Sequence, residues 1–358
     1  MKKGSKLFYL RLSLSLLSLF ALSCSSPKSS ELETFDIPKD GESEFQLSDL
    51  TESVEYIALE TNEESFLRLI QDVKFYKDKI YVVDFPGKIL VFDRKGKFLN
   101  QLGKTGEGPG EFSNVSSLVI DEESETAYIA SGRRLISYTL DNEYIGEKKM
   151  PFFIDYLDMV DNSLSLIAAE DGVKSGDKFV NQRSLFKLDK DLTITDSLPL
   201  LHIEMDQQTG ASYPYKNYIS KVDSEDFIYT PVLINESMIR DTLFRFEDNI
   251  LNPFIKLNFA PPLLNEEGSK LIIIKNVMLS ANYLLCEYNR EGSSMFYIGA
   301  RKSDFSVNVT DGFLIEDEEI VTLRPFDLSK DQFYFIKTYN FSDVSEEELN
   351  PIIGIVTL

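Results

Sequence analysis

The sequence predicts an all-β fold, a six-bladed β-propeller of four-stranded antiparallel blades closed by pairing of its N- and C-terminal strands. Three observations carry this. After position 30 the chain runs in short apolar alternations separated by polar turns such as Asp93-Arg94-Lys95-Gly96 and Asp189-Lys190-Asp191, and no stretch sustains an amphipathic helix. One hairpin pattern recurs, an apolar run, a polar turn and a second β run, with Phe92, Tyr138, Leu188, Phe246 and Ala300 at matching positions and spacings of 46, 50, 58 and 54. Residues 46–358 divided by that mean spacing give six units. A period of this size holding four strands is a propeller blade.

The N-terminus precedes this repeat. Lys2, Lys3, Lys6 and Arg11 form a positive region ahead of a short apolar stretch, 12–22. That stretch is too short to span a bilayer and has the order of a secretory signal. Ser23-Cys24 and the Ser-rich run after it resemble a bacterial lipoprotein signal. The resemblance implies cleavage after residue 23, acylation of Cys24, and a lipid anchor in the outer membrane of the cell envelope, on its periplasmic or its outer side. The alternative is an ordinary secretory signal in which Cys24 is incidental. Residues 24–45 read as a Ser-rich tether and 46–358 as the propeller.

With Cys24 acylated, Cys286 is the one remaining thiol, so no internal disulfide can form and the fold rests on its apolar core. Cys286 lies in an apolar β run and reads as a buried core residue. Removing residues 1–23 takes away four positive charges and moves the net charge from −22 to −26. A field of that sign repels nucleic acid.

Taken in order, Ile80-Tyr81-Val82-Val83-Asp84 reads as an inner strand, 88–93 as the next and 97–102 as the outer one. The glycine-rich stretch Leu102-Gly103-Lys104-Thr105-Gly106-Glu107-Gly108-Pro109-Gly110-Glu111-Phe112 follows. It is not a phosphate-binding loop: that pattern needs glycine at position 98, which is Phe98, and a helix after it, where 117–121 reads as a strand. Pro109-Gly110 suits the central pair of a type II turn, so the glycines serve backbone geometry. The hairpins at 134–145, 184–189, 242–247 and 296–301 mark the following blades. The last blade combines 53–59 with 333–336 and 352–356, which removes an open edge.

Residues 80–121 are similar to an NHL-type propeller repeat. Together with 50–61 they resemble the six-bladed β-propeller lipoproteins, NHL-like or TolB-like, of Gram-negative bacteria. That resemblance implies an exported, anchored propeller and supplies no catalytic residues.

Little chemistry shows. A single histidine, His202, excludes a multi-histidine metal site, and no nucleophile elbow accompanies it. The acidic runs at 121–123 and 316–319 lack calcium-loop spacing and read as solvated turns. No cofactor and no metal is expected. The segment 210–218 is the least repeat-like, and within it Tyr213, Tyr215, Lys216 and Tyr218 are candidate binding residues, rigid aromatic anchors on a loop. The other reading of the segment is a packed loop over the propeller mouth. Arg133 and Arg134 could present cations to the central channel or be an ordinary turn. The functional expectation is a membrane-anchored exported propeller that binds an envelope protein partner or a glycan ligand without catalysis. The alternatives are a glycoside hydrolase or lyase on the same scaffold, since the many acidic residues offer carboxylate pairs, and a structural subunit of an envelope complex.

Overall fold

The computed structural model describes residues 32–358 apart from 52, 212, 235, 237, 317–318 and 339–348. The signal segment and Cys24 lie outside the described residues. The chain divides into Met1–Glu33 and Thr34–Leu358, and the second unit is a β-propeller. Among the described residues it carries six antiparallel sheets of four or five strands and two short two-stranded ribbons.

Chain order equals spatial order in the blades. The first blade is Ile70–Tyr76, Lys79–Asp84, Lys88–Asp93 and Phe98–Gln101. The second is Ser117–Asp121, Thr126–Ser131, Arg134–Thr139 and Tyr144–Lys149. The third is Phe153–Val160, Ser163–Ser175, Lys178–Leu188 and Ile194–Met205. The fourth is Ile219–Val222, Glu225–Ile228, Thr242–Glu247 and Ile250–Phe259. The fifth is Ile272–Leu279, Tyr283–Arg290, Ser293–Ala300 and Ser306–Thr310. The sixth joins Arg324–Asp327, Gln332–Lys337 and Ile352–Thr357 to Val54–Ala58 from the other end of the chain, in the register Val54↔Val356 to Ala58↔Ile352. The repeat read from sequence falls on the third strand of each of the first five blades.

Neighbouring blades pack face to face. Tyr81, Val83, Ile89 and Val91 of the first meet Leu118, Ala127, Ile129 and Ile136 of the second, all buried. Each fully buried aliphatic or aromatic side chain contributes about 1.5–3 kcal/mol. The polar turns are held by aspartates. Asp93 Oδ1 accepts the N–H groups of Lys95 (2.8 Å) and Lys97 (2.9 Å), and Asp189 Oδ1 those of Asp191 (3.0 Å) and Thr193 (2.8 Å). This local pairing explains part of the acidic composition.

Two expectations change. Ile80–Asp84 is the second strand of its blade, and Ile70–Tyr76 is the innermost. That strand is hard to read because a bulge between Ile70 and Asp72 breaks its alternation and its sequence carries Gln71, Asp72 and Lys74. The tether also ends early. Thr34–Ile37 lie in a fifth strand on the outer edge of the fourth blade, with Phe35 and Ile37 buried, and Glu42 and Gln46 bridge to Val309 and Leu314. An edge strand needs only two inward side chains, too few to stand out among charged neighbours.

The glycine loop is a structural return. Glu111 N–H donates to Gly108 O at 3.0 Å across Pro109-Gly110, and Gly110 has φ +76°. The Tyr138 hydroxyl donates to Gly110 O (2.6 Å), and Lys104–Thr105 pairs in parallel with Glu111–Phe112.

Candidate functional site

The innermost strands run in one direction around a central channel, and residues 213–218, ahead of the fourth blade's innermost strand, reach side chains of the third, fifth and sixth blades there. Glu287, which is buried, anchors this segment. Its carboxylate accepts the Asn276 amide (2.8 Å) and Arg324 (3.2 Å), hydrogen-bonds the Tyr213 hydroxyl, and has Lys275 at 3.9 Å. Asn276 Oδ1 accepts the backbone N–H of Asn217 at 2.8 Å. The Arg324 guanidinium lies 3.5 Å from the centroid of the Tyr215 ring, a cation–π contact. Asp155 takes an ion pair from Lys216 and a 2.7 Å hydrogen bond from the Tyr218 hydroxyl. A buried carboxylate is tolerated only when surrounded by donors, and Glu287 is.

Burial, with Glu287 beside it, pushes the Tyr213 hydroxyl up to about 12. Burial pushes the Tyr215 and Tyr218 hydroxyls up as well. All three therefore stay neutral, Tyr213 and Tyr218 donating their hydroxyls to Glu287 and Asp155 and Tyr215 offering its ring to Arg324. Burial pulls the Lys275 ammonium down; Glu287 opposes this and Arg324 adds to it.

The structure thus brings Tyr213, Tyr215, Lys216 and Tyr218 together, but as a plug. Tyr215 and Tyr218 are buried, Tyr218 in the apolar core between the third and fourth blades, so they are not a free aromatic patch. Tyr213 and Lys216 are part-exposed and line two recesses of about 110 and 210 Å³, the first also lined by Tyr218 and the second by Tyr215. Arg134 does not face the channel. Its guanidinium donates to Glu111 O (2.8 Å) and Gly108 O (3.0 Å) and pairs with Glu147, which clamps the glycine loop. Arg133 is exposed, 5.0 Å over the Phe153 ring.

The sequence did not reveal the walls around the plug. Strands of 13, 11 and 12 residues extend the third blade past its neighbours, and residues 229–234 of the fourth blade fold against them. Leu201 and Ile203 pack on Val232 and Ile234. Lys270 holds the loop by donating to Val232 O (2.9 Å), and Arg240 forks onto Glu236 (3.1 and 3.3 Å). The smaller recess lies between this apolar wall and the polar set Asp155, Arg183, Lys216 and Lys275, with Arg183 forked onto Asp171 at 2.8 and 3.0 Å. The 58-residue interval between hairpins was the available signal for the extension.

His202 is exposed on the outer strand of the third blade, 3.7 Å from Glu204. Among the described residues no group of three or more His, Cys, Asp or Glu could hold a metal ion, and no helix is long and apolar enough to cross a membrane. Cys286 is buried in its strand, and burial pushes its thiol up.

Solved structures resemble this fold at low identity. A protein of Bacteroides fragilis NCTC 9343 described as exported is 17% identical, with 91% of this chain and 99% of that one covered and a TM-score of 0.65. A member of the DUF4221 family from Bacteroides vulgatus ATCC 8482 is 12% identical, with 86% and 98% covered and a TM-score of 0.47. The WD40 domain of Neurospora crassa Pan2 is 9% identical, with 80% and 75% covered and a TM-score of 0.44. No curated protein matches the sequence. Residues 32–356 match a family described as a domain of unknown function, DUF4934. The NHL-type likeness of residues 80–121 stays a resemblance. By its match over nearly the whole chain, this protein belongs to the DUF4934 family.

Proposed function

We propose that this is an exported propeller, lipid-anchored through Cys24, that binds a protein partner of the cell envelope on its plugged face without transforming it. The observation that carries the reading is the set of exposed apolar side chains on the loops of that face. Leu69 and Phe85, joined by a 2.9 Å backbone hydrogen bond, come from the first blade, Phe153 and Val173 from the third, and Met238 from the fourth. Leu69 and Phe153 sit where innermost strands begin, Phe85 and Val173 at or near the ends of second strands, and Met238 between the second and third strands of its blade, all toward one end of the propeller. Exposed apolar side chains gathered at one end of a rigid scaffold are candidate anchors for a protein partner. Tyr213 and Lys216 add a polar centre to the rim. The exported Bacteroides fragilis protein of the same fold and the N-terminal signal pattern support export.

The test is affinity capture from envelope extracts with the wild type and a Phe85→Asp/Phe153→Asp variant. Both side chains are exposed, so the fold is kept. A partner held by the wild type and lost by the variant is expected. A partner held equally by both removes this face, and turnover of glycans by the purified protein overturns the non-enzymatic reading. Cys24→Ser is expected to release the protein from membranes. Equal solubility of both forms, with no lipid on either by mass spectrometry, refutes anchoring.

A further inference from the structure

We propose, on the reading that the plugged face holds a protein partner, that this partner presents an acidic segment carrying large apolar side chains and docks it across the first and second blades. The apolar side chains there form one linked surface. Phe85 N–H donates to Leu69 O at 2.9 Å. The turn after Phe85 lies against the segment that leads into the second blade, since a Cβ at Gly87 would stand 2.5 Å from the Ser113 carbonyl. From that segment Asn114 Oδ1 accepts the Ser131 hydroxyl at 3.4 Å, and the Ser116 hydroxyl donates to Ile154 O at 2.8 Å. Ile154 N–H bonds Gly132 O at 2.8 Å. Residues 113–116 therefore join the Phe85 turn to Phe153, and Leu69, Phe85 and Phe153 are all more than half exposed.

Cations surround this surface. Arg68 precedes Leu69, and Lys88 pairs in register with Asp84 in the hairpin that carries Phe85. The Arg133 guanidinium is 5.0 Å over the Phe153 ring, and Lys149 ends the outer strand of the second blade in register with Arg134. Arg68, Arg133 and Lys149 are exposed and Lys88 is half-buried. Among the described residues none of these four makes an ion pair, whereas on the same face Arg134 is paired with Glu147, Lys178 with Asp206, Arg183 with Asp171 and Arg240 with Glu236. The carboxylates beside the four are committed. Asp84 is 1% exposed, and its Oδ1 accepts the N–H groups of Arg68 and Leu69, each at 2.8 Å. Glu107 is exposed and takes the Ser113 hydroxyl.

A chain of net charge −22 thus keeps unanswered cations around its exposed rings. The field of the whole chain repels an acidic segment at long range, but salt screens that field over about 8–10 Å at ordinary ionic strength. At contact the unpaired cations decide the sign, and complementary charge fixes which partner docks and in which register. The exposed rings supply the apolar anchors, and arginine and aromatic residues are enriched at protein interfaces. A basic or purely apolar segment would leave the cations unanswered.

The experiment pans a random peptide display library on the purified full chain at low salt and measures the selected peptides by fluorescence anisotropy. Peptides that combine Asp or Glu with Phe, Leu or Met are expected, although the net charge of the chain by itself favours basic ones. Arg68→Glu/Arg133→Glu should weaken their binding about tenfold, with the melting temperature held because both side chains are exposed and unpaired. Lys95→Glu/Lys190→Glu makes the same change in net charge at turns on the opposite end of the blades and should bind as the wild type does. Equal loss in the two charge-reversed variants overturns the proposal, since it traces binding to net charge alone. Neutral or basic selected peptides, or equal binding by the wild type and the arginine variant, also overturn the acidic partner. Loss of those peptides in Phe85→Asp/Phe153→Asp then keeps the partner face, and their retention removes it as well. Failure to select any peptide overturns the proposal too.

Discussion

Asn350→Ala is expected to destabilise the protein by about 2–6 kcal/mol, because one buried side chain ties the C-terminal strand to the loop that opens the first blade. Asn350 is 1% exposed and precedes Ile352–Thr357. Its Oδ1 accepts the Leu67 N–H at 2.8 Å, and its Nδ2 donates to the carbonyls of Glu60 (2.7 Å) and Ser65 (2.8 Å). Alanine removes all three bonds. Glu60 O keeps the Ser65 hydroxyl at 2.7 Å, which leaves the Leu67 N–H and Ser65 O unmade, each worth roughly 1–3 kcal/mol when buried. The backbone bond from Asn350 N–H to Thr61 Oγ1 (2.8 Å) survives. Against a typical global stability of about 5–15 kcal/mol, the loss is large. Asn350→Asp keeps the acceptor for Leu67 but sets an oxygen against two carbonyls. It should cost at least as much at neutral pH and recover as pH falls toward ~4, where the carboxyl regains a proton to donate. Urea denaturation of both variants at pH 7 and pH 4.5 measures this. An alanine variant within about 0.5 kcal/mol of wild type, the ordinary range for an unimportant surface change, would show that this contact does not hold the sixth blade to the first.

Three further outcomes are expected. Gly110→Val should destabilise by about 1–3 kcal/mol, since a Cβ there lies 2.7 Å from Tyr144 Cδ2 and 3.0 Å from the Tyr138 hydroxyl at φ +76°; Lys104→Ala, at an exposed site, should stay within ~0.5 kcal/mol and leave nucleotide binding absent, with saturable ATP binding the refuting result. Tyr215→Ala should cost about 3–5 kcal/mol, as for other buried aromatic rings, because it empties the space under Arg324; a melting temperature equal to wild type would show that the plug is not structural. Burial holds the Asp158 carboxyl above its ordinary value, while Lys221, Lys74 and the Met159 N–H pull it down and Asp226 pushes it up. The folded state therefore binds this proton more tightly than the unfolded state. The stabilisation is fully present below the unfolded value near ~3.9 and lost as pH rises through the folded one. Asp158→Asn should flatten that decline in a melting series across the acid range, and an unchanged slope refutes the assignment.

The sequence by itself determined the fold class and most of the blade order. Period-two alternation, aspartate-centred turns and the spacing of Phe92, Tyr138, Leu188, Phe246 and Ala300 are local signals, and local backbone physics obeys them. It also determined the role of Pro109-Gly110, because a turn is decided within four residues. Pairing of 54–58 with 352–356 was legible because an apolar strand at each end of a repeat needs a partner. The tertiary structure alone decided where the polar side chains go. For Tyr213 to Tyr218 the sequence left two readings, binding aromatics or a packed loop over the mouth, because no local pattern shows that Glu287, Arg324, Asn276 and Asp155, from three other blades, converge on them. For Arg134 the choice between a channel cation and an ordinary turn stayed open for the same reason, since its acceptors, Glu111 O and Gly108 O, lie on a loop more than twenty residues earlier. The innermost strand Ile70–Tyr76 escaped notice because a channel-lining strand carries polar residues where a core strand carries apolar ones. Burial is a property of long-range packing, and a charged side chain at the axis of a propeller looks, in sequence, like one on its surface.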